Sequence, residues 1–322
     1  MKAIRMRTSG GTEVLKLEET SVPEPPAGHV RVKIAAAGLN FIEVYQRTGL
    51  YPVPLPATPG GEGAGEVVAL GAGVKTLQKG DRVASVRLMG SYAEQALVPE
   101  EAAVKVPEGL DLNQAAAAML QGMTAHYLVY STFPLKPGQS CIVHAAAGGV
   151  GLLLVQLAKR SGAHVFATVS TEAKARLASD AGADEVILYT KQDFEAAVKK
   201  ASDGKGVNVV YDSVGATTWE KSLNCLAPLG MLVLFGQSSG VVPPFNPSLL
   251  AQKGSLFLTR PTLSHYTADR SRLAWRANEI LSWVKEGSLK LRIDKTFPLA
   301  QAADAHHALE ARQTTGKVLL VP

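Results

Sequence analysis

Short apolar runs alternate with segments of helical period through the middle of the chain. The apolar runs predict six strands, near residues 140–144, 163–169, 184–188, 207–211, 230–235 and 255–259. The segments between them, such as 171–181 and 193–201, repeat their apolar residues every three to four positions and often end at a glycine. Strands that alternate with helices in this way predict a doubly wound parallel sheet of the Rossmann type.

The N-terminal part of the chain, residues 1–124, has a different pattern. It contains short strand-like runs separated by Gly and Pro, among them 30–35, 63–70 and 81–85. Such runs are typical of a partly antiparallel β domain.

The pattern changes again after residue 264. Residues 272–286 and 301–312 have helical period, and 317–321 is a final apolar strand. A single strand must pair with a sheet, and we expect this one to pair with the β domain of the N-terminal part. We therefore expect an α/β protein with a discontinuous β-rich catalytic domain, residues 1–124 and 265–322, and an inserted dinucleotide-binding domain, residues 125–264.

A turn of small residues follows the first strand of the predicted Rossmann sheet. It reads Ala146-x-Gly148-x-x-Gly151, with Ala in place of the usual first Gly, and a segment of helical period comes next. Residues without bulk let the backbone approach a diphosphate, whose charge then lies against the unpaired N–H groups of the helix start. An ordinary strand-to-helix turn would fit the same residues, but the surrounding strand and helix pattern favours a dinucleotide site.

The end of the second Rossmann strand predicts which dinucleotide binds. A carboxylate at this position would bind the ribose 2′-hydroxyl of NADH, but here the strand ends at Ser170, and Lys174, Arg176 and Tyr189 follow. A hydroxyl, a cation and a phenol suit a 2′-phosphate, so the sequence predicts NADPH. The alternative is that both cations belong to a solvated helix face, and Glu172 would repel a phosphate if it turned inward.

Composition adds limits to this picture. The 322 residues are 46% hydrophobic, which is enough for two cores. The net charge is +5 and the pI is near 9.1, but the Lys and Arg residues are dispersed along the chain, so the charge by itself does not indicate nucleic-acid binding. Cys141 and Cys225 fall in predicted core elements, which favours a reducing, cytoplasmic compartment over a disulfide framework. No apolar run approaches the roughly 20 residues of a membrane span, so we expect no membrane association.

Several separated stretches of the chain share the pattern of one known family. They are 37–43, 48–51, 59–65, 138–159, 211–215 and 235–240. On these stretches the chain resembles the zinc-independent quinone oxidoreductases, the zeta-crystallin-like branch of the medium-chain dehydrogenase/reductase superfamily. The resemblance covers the whole length, and it implies a GroES-like catalytic domain, NADPH-dependent reduction of a small-molecule quinone, and a homodimer.

The resemblance also predicts whether the protein binds zinc. Zinc-dependent relatives carry a catalytic Cys in the segment that here reads Gly38-Leu39-Asn40 and a Gly-His-Glu that here reads Gly60-Gly61-Glu62, and they have a four-cysteine lobe. None of these ligands is present, and the histidines of the chain lack ligand spacing. We therefore expect no metal. A quinone needs none, because conjugation already activates its carbonyls and the enzyme mainly has to position the reactants.

The family implies a role for particular residues. On the acceptor side, treated as catalytic, they are Asn40, Tyr45 and Tyr51; on the cofactor side they are Gln121, Thr124, Gly148, Gly149, Val150, Ser170, Lys174, Tyr189, Phe235, Gly236, Ser238, Arg260 and Arg312. The tyrosines could equally be packing residues with a satisfied polar tip. The two arginines could equally pair with surface carboxylates.

Two other functions remain open from the sequence. The same scaffold serves NADPH-dependent enone and 2-alkenal reductases, which reduce a conjugated C=C bond. Zeta-crystallin relatives also bind RNA, but the chain has no aromatic-rich basic motif, so nucleic acid is not expected as a partner. The apolar run 254–259 would be a long exposed edge of the Rossmann sheet, and we expect a second copy to pair with it.

Overall fold

The computed structural model describes residues 1–322, and its first part is built around one long strand. The elements are β1 (Lys2–Arg5), β2 (Lys16–Glu19), β3 (His29–Leu39), α1 (Phe41–Arg47), β4 (Gly63–Leu70), β5 (Arg82–Ser85), β6 (Gln95–Pro99), β7 (Val104–Lys105) and α2 (Leu112–Tyr127). In β3, Val30, Val32 and Ile34 are buried while the residues between them are partly or fully exposed. This alternation is why the segment folds as a strand with one face on a core.

The middle of the chain alternates strictly between strands and helices. Its elements are β8 (Ser140–Val143), α3 (Gly149–Arg160), β9 (His164–Val169), α4 (Glu172–Asp180), β10 (Glu185–Leu188), α5 (Phe194–Ala201), β11 (Val207–Asp212), α6 (Trp219–Asn224), β12 (Leu226–Leu234), α7 (Ser248–Gln252), β13 (Phe257–Thr259) and α8 (Leu263–Tyr266). The last part contains α9 (Arg270–Lys285), β14 (Ile293–Pro298), α10 (Ala302–Glu310) and β15 (Lys317–Val321).

Strands β8 to β13 form one six-stranded sheet in the order β10-β9-β8-β11-β12-β13, and every neighbouring pair is parallel. The predicted Rossmann sheet is therefore confirmed. Because β8 lies between β9 and β11, the strand order reverses at its carboxyl end, and this is where such sheets bind their ligands.

The remaining long strands form a seven-stranded, mostly antiparallel sheet. Its order is β14-β15-β3-β4-β5-β7, and β6 also pairs with β3. As predicted, the last strand, β15, joins the sheet of the first part: Val318 lies opposite Leu39 and Leu319 opposite Gly38. One residue beyond the pair of Val318 and Leu39, Lys317 lies beside Asn40.

The chain divides into two units, each with its own core. Met1–Met123 and Thr267–Pro322 form the β-rich unit, and Thr124–Tyr266 form the Rossmann unit. The first core is centred on the buried faces of β3, β4 and β15, and the second includes Ile142, Phe166 and Val210. Cys141 and Cys225 are buried and form no disulfide.

One element is shorter than its pattern predicts. The run 255–259 was expected to be a strand throughout, but β13 comprises only Phe257–Thr259. Ser255 has a φ of +56°, in the left-handed region, and a strand cannot pass through that conformation. β13 is still the last strand of its sheet, so the exposed edge is short rather than long. None of the helices combines the length and apolar character of a membrane span.

Candidate active site

The turn after β8 joins the central strand of the Rossmann sheet to α3. Ala145 adopts a φ of +50°, and the N–H of Gly148 donates to its carbonyl at 2.9 Å. Gly148 is the extended N-cap residue, and α3 begins at Gly149. The predicted small-residue turn therefore lies at the carboxyl end of β8, at the switch point of the sheet.

The start of α3 is suited to an anion. The backbone N–H groups of the first turn of a helix have no intrahelical partner, and the helix dipole makes this end positive. Here no side chain caps the helix, and the first turn contains no acidic residue. Gly149 and Val150 thus present backbone N–H groups with neither a capping side chain nor a local negative charge, which is what a diphosphate requires, while the N–H of Gly148 closes the turn on Ala145.

Gly151 lets α3 pack closely on the turn. A Cβ atom at this position would lie 2.4 Å from the carbonyl oxygen of Ala145 and 2.8 Å from the Cα and carbonyl carbon of Ala146. Backbone atoms cannot move away as a flexible side chain could. The third small residue of the motif is therefore required by helix-to-turn packing.

A buried hydrogen-bond network lies at the ends of β8, β9 and β11. The two ring nitrogens of His144 contact Thr168 Oγ1 at 2.8 Å and Ser222 Oγ at 3.0 Å, and Ser222 Oγ donates to Asp212 at 3.2 Å. Because the Ser222 proton points to Asp212, we assign the imidazole proton to Nε2. Burial lowers the pKa of His144, which keeps the ring neutral.

Asp212 connects this network to the loops that follow β11 and β12. One carboxylate oxygen accepts from the N–H groups of Val214 and Gly215 at 2.7 and 3.0 Å, and the backbone carbonyl of Asp212 accepts from Phe235 N–H at 2.8 Å. A Cβ on Gly236 would lie 2.6 Å from the carbonyl oxygen of Ser213. The sequence analysis considered the histidines only as metal ligands and gave Asp212 no role, because nothing local shows that His144 and Asp212 converge.

The residues predicted to hold the 2′-phosphate lie at the adjacent ends of β9 and β10. Tyr189 N–H donates to Val169 at 3.1 Å, and Thr190 Oγ1 donates to the carbonyl of Ser170 at 3.0 Å. Lys174 lies in the first turn of α4, where its N–H is capped by Thr171 Oγ1. Ser170 and Lys174 are partly exposed, and Tyr189 is exposed.

Glu172, which could have repelled a phosphate, has a partner. Its carboxylate forms an ion pair with Lys191 Nζ at 2.6 Å, and both side chains are mostly exposed. The objection to a phosphate site at this helix start is weakened, because the negative charge has a cation beside it.

A groove of 480 Å³ lies in the Rossmann unit beside the end of β12. It is lined mainly by apolar residues of the loop that follows, with Gly236 and Arg260 among its walls. Arg260 Nη1 donates to the carbonyl of Leu234 at 3.0 Å, which holds the guanidinium at the strand end. The volume is in the range of small-molecule sites, about 300–1,000 Å³. Arg312, by contrast, is an exposed residue in the loop after α10, in the β-rich unit.

In the β-rich unit, Asn40 lies at the centre of a buried polar cluster. Its Oδ1 accepts from Lys317 Nζ at 2.8 Å and from Gln121 Nε2 at 3.4 Å, and its Nδ2 donates to Glu62 Oε2 at 2.8 Å. Lys317 also forms an ion pair with Glu62, and neither side chain of that pair has any exposed surface. We call Asn40, Glu62, Gln121 and Lys317 the Asn40 cluster.

Gly38 makes room for the Asn40 cluster. A Cβ at this position would lie 2.1 Å from Glu62 Oε2 and 2.8 Å from the Cε of Lys317. Glu43, at the start of α1, accepts from the N–H of Asn40 at 2.9 Å, and burial raises the pKa of its carboxyl to about 7.

The Asn40 cluster does not suit a zinc ion. Zinc needs thiolate, imidazole or carboxylate ligands in tetrahedral geometry. Here Asn40 and Glu62 already bind an ammonium group, whose positive charge would repel the metal. No group of three or more His, Cys, Asp or Glu side chains with metal-binding geometry occurs in the chain. We therefore derive no step through a metal.

Three aromatic rings form a row beside the Asn40 cluster. Phe41 and Tyr45 have ring centroids 6.0 Å apart, and Tyr45 and Tyr51 meet edge to face at 5.2 Å. Tyr51 N–H donates to the carbonyl of Tyr45 at 2.9 Å, which ties the loop after α1 back to the helix. All three side chains are partly exposed. Phe41 was not among the predicted site residues, although its position next to Asn40 was a signal.

The predicted residues thus fall into two sets. The β-rich unit holds Asn40, Tyr45, Tyr51, Gln121 and Arg312. The Rossmann unit holds Thr124, Gly148, Gly149, Val150, Ser170, Lys174, Tyr189, Phe235, Gly236, Ser238 and Arg260. Gln121 and Thr124 lie on the same helix, α2, and both are buried.

Two family models match the chain. Residues 26–108 match the alcohol dehydrogenase GroES-like domain, and residues 181–320 match the zinc-binding dehydrogenase model. The GroES-like match falls on the β-rich unit, and the second match includes most of the strands of the Rossmann sheet. The fold and these matches together define a medium-chain dehydrogenase/reductase.

Full-length relatives narrow the class further. The chain is 46% identical to a quinone oxidoreductase of Pseudomonas aeruginosa, covering 100% of the chain and 99% of the relative. It is 42% identical to a Burkholderia 2-haloacrylate reductase, covering 97% and 96%. The crystal structure of Escherichia coli quinone oxidoreductase complexed with NADPH is 42% identical and covers 100% of both chains, with a TM-score of 0.98. The chain belongs to the quinone oxidoreductase family of the medium-chain dehydrogenases/reductases.

Proposed function

We propose that the protein is an NADPH-dependent quinone reductase that works without a metal. The observation that carries the cofactor part is the start of α3, where a small-residue turn at the switch point presents uncapped N–H groups with no acid in the first turn. The acceptor follows from the family, since full-length relatives are quinone oxidoreductases.

The phosphate end of the site supports NADPH over NADH. The end of β9 carries Ser170 rather than a carboxylate, and Lys174 and Tyr189 lie nearby on α4 and after β10. Glu172 is paired with Lys191. These groups offer a cation and two hydroxyls for charge-assisted hydrogen bonds to a 2′-phosphate. The solved E. coli relative, which was crystallised with NADPH, is consistent with this choice.

The chain's own residues would act by positioning. Bound NADPH supplies the reducing equivalents. The row of Phe41, Tyr45 and Tyr51 offers apolar ring surface to a planar acceptor, and ring contacts of this kind favour stacked or edge-to-face packing. The amide of Asn40 is held in one orientation by the charges around it. Holding two reactants in place accounts for much of the rate when the acceptor is already activated.

Reduction of an activated C=C bond is the second candidate. The observation that favours it is the 42% identity to a 2-haloacrylate reductase over nearly the full length of both chains. A haloacrylate has a carboxylate that a quinone lacks, so this substrate would need a cationic or hydrogen-bonding group on the acceptor side.

A substrate panel separates the two activities. We expect NADPH oxidation with 1,4-benzoquinone and ortho-quinones to exceed that with 2-alkenals and 2-chloroacrylate, measured as kcat/KM for each acceptor. Activity should survive prolonged dialysis against a strong chelator. Higher kcat/KM for the C=C substrates would replace quinone reductase with the second candidate, and chelator-sensitive activity restored by zinc would contradict the metal-free mechanism.

Lys174→Ala tests the phosphate pocket. We expect the KM for NADPH to rise at least about tenfold while that for NADH stays nearly unchanged, because one charge-assisted hydrogen bond contributes about 1.5–3 kcal/mol. Lys200→Ala, an exposed lysine at the end of α5, is the matched control and should change neither KM. Equal weakening of both cofactors, or of neither, would mean that the 2′-phosphate binds elsewhere.

We also propose a homodimer in which the edge of the Rossmann sheet meets a second copy. β13 is the last strand of that sheet, and Phe257 on it is 55% exposed. The strand is too short for its edge alone to require pairing, but the exposed Phe257 ring gives that edge an apolar contact that a second copy would bury, and two-fold symmetry is the commonest arrangement of homo-oligomers. Sedimentation velocity at micromolar concentration should show a dimer, and Phe257→Lys should shift it toward monomer. A wild-type monomer at these concentrations would exclude the proposal.

The thiols support a cytoplasmic location, which we propose for the protein. Cys141 and Cys225 are buried and unpaired, and burial raises the pKa of each to about 12. Such thiols are inert and form no stabilising disulfide, as is usual in a reducing compartment.

A further inference from the structure

Lys317 is a charged side chain that the proposed reaction does not yet use. It has no exposed surface, and it begins β15, where it contacts Asn40, the residue that follows β3. An ammonium group can only donate hydrogen bonds. The Asn40 atom that faces it, at 2.8 Å, must therefore be the carbonyl oxygen.

Glu62 confirms the orientation of this amide from the other side. Its Oε2 accepts from Lys317 and, at 2.8 Å, from Asn40, and a carboxylate oxygen can only accept from the Asn40 nitrogen. A third bond to Glu62, from the N–H of Leu120 to Oε1 at 2.5 Å, ties the carboxylate to α2. The Asn40 amide is thus fixed by a cation on its oxygen and an anion on its nitrogen.

The same reasoning passes from Asn40 to Gln121. Asn40 Oδ1 is an acceptor, so the Gln121 atom that lies 3.4 Å from it must be the donor Nε2. The other end of that amide, Oε1, is buried and has no hydrogen-bond partner in the chain. Gln121 is only 9% exposed. A buried carbonyl oxygen without a partner is costly, and a ligand with an N–H or O–H group would satisfy it.

The chemistry of the quinone and of NADPH decides which of these two reactants could satisfy Gln121 Oε1. A quinone has only acceptor oxygens, so it cannot bind to Gln121 Oε1. The nicotinamide ring of NADPH carries a carboxamide, whose NH₂ group donates in both oxidation states. We propose that Lys317, acting through Asn40, orients Gln121 so that its Oε1 accepts a hydrogen bond from the nicotinamide carboxamide. This assignment rests on the proposed cofactor and makes Lys317 and Asn40 positioning residues.

Binding calorimetry with two nucleotides tests the assignment without any turnover. One is NADP⁺, and the other is its 3-acetylpyridine analogue, in which a methyl group replaces the carboxamide NH₂. The wild type should bind NADP⁺ roughly two- to tenfold more tightly than the analogue, as expected for one hydrogen bond. Gln121→Leu should reduce the ratio of the two dissociation constants to about one. Gln114→Leu, an exposed glutamine on the same helix, should leave the ratio unchanged.

Lys317→Met tests the positioning step. Without the ammonium, Asn40 is held only through its bond to Glu62, and the Oδ1 that receives Gln121 is no longer fixed by a cation. The ratio should therefore fall while NADP⁺ still binds through its phosphates. If this variant does not fold, the double variant Glu62→Leu/Lys317→Met removes both buried charges and should show the same loss. A folded variant lacking Lys317 that keeps the wild-type ratio would exclude Lys317 from this role.

Failure of this assignment is distinct from failure of the proposed function. Equal affinities of the wild type for the two nucleotides, or an unchanged ratio in Gln121→Leu, would overturn the assignment even in an active quinone reductase. Conversely, a protein that discriminates between the nucleotides but reduces no quinone would keep the assignment and lose the proposed acceptor.

Discussion

Gly151→Ala should cost about 1–3 kcal/mol of unfolding free energy and weaken NADPH binding tenfold or more, because the added methyl group overlaps the turn that precedes α3. The new Cβ would lie 2.4 Å from the carbonyl oxygen of Ala145 and 2.8 Å from backbone atoms of Ala146. Either α3 moves away from the sheet or the turn opens. Both changes displace the N–H groups proposed to hold the diphosphate. Urea unfolding and calorimetric titration with NADPH measure the two effects.

Gly148→Ala is the matched comparison for the unfolding measurement. Its Cβ would meet only one atom within 4 Å, the Ala145 oxygen at 3.1 Å, and Gly148 has an ordinary φ of −78°. We expect a much smaller loss of unfolding free energy than in Gly151→Ala. Equal unfolding free energies in wild type and Gly151→Ala would show that helix-to-turn packing does not select the third glycine.

The Rossmann sheet could be predicted because its signals are local. Each strand and helix shows its period within a few residues, and the turn after β8 is marked by residues that need no side chain. The start of β13 was predicted wrongly for a local reason as well. Ser255 adopts a left-handed conformation that could not be predicted from its residue type, and so the strand starts two residues later than its apolar pattern.

The Asn40 cluster could not be predicted in the same way. In the sequence, Lys317 is only the polar first residue of an apolar strand. Glu62 belongs to the segment Gly60-Gly61-Glu62, where zinc-dependent relatives have Gly-His-Glu. The two are 255 residues apart, and they meet because β15, which begins at Lys317, and β4, which follows Glu62, both pair with β3. Their interaction depends on strand register, which periodicity within either segment does not specify.

The polar network of the Rossmann unit shows the same limit. His144 follows β8, and Asp212 ends β11, so the alternating pattern places each at the carboxyl end of a strand. Their connection through Ser222 requires α6 to pack over that end of the sheet. A sequence identifies the strand ends where chemistry belongs, but it does not show which helix supplies the third partner.

Glu62→Leu should be the most destabilising single substitution proposed for this protein. It leaves the Lys317 ammonium in a site without solvent and removes the acceptor of the Asn40 Nδ2 and Leu120 N–H groups. Breaking a buried ion pair by deleting one partner costs about 3–5 kcal/mol, because the remaining charge is neither paired nor hydrated. Chemical denaturation at neutral pH measures the loss of unfolding free energy, and a loss below about 1 kcal/mol would contradict the buried pairing.

The double variant Glu62→Leu/Lys317→Met shows how much of that loss is the unpaired charge. Glu62→Leu leaves the Lys317 charge buried without a partner. Replacing both residues by apolar ones removes that charge, so the double variant should be more stable than Glu62→Leu alone. The unpaired N–H of Leu120 remains in both variants and keeps the recovery incomplete. A double variant no more stable than Glu62→Leu would instead assign the loss to those hydrogen bonds. The ion pair would then matter for orienting Asn40 rather than for holding the sheet together.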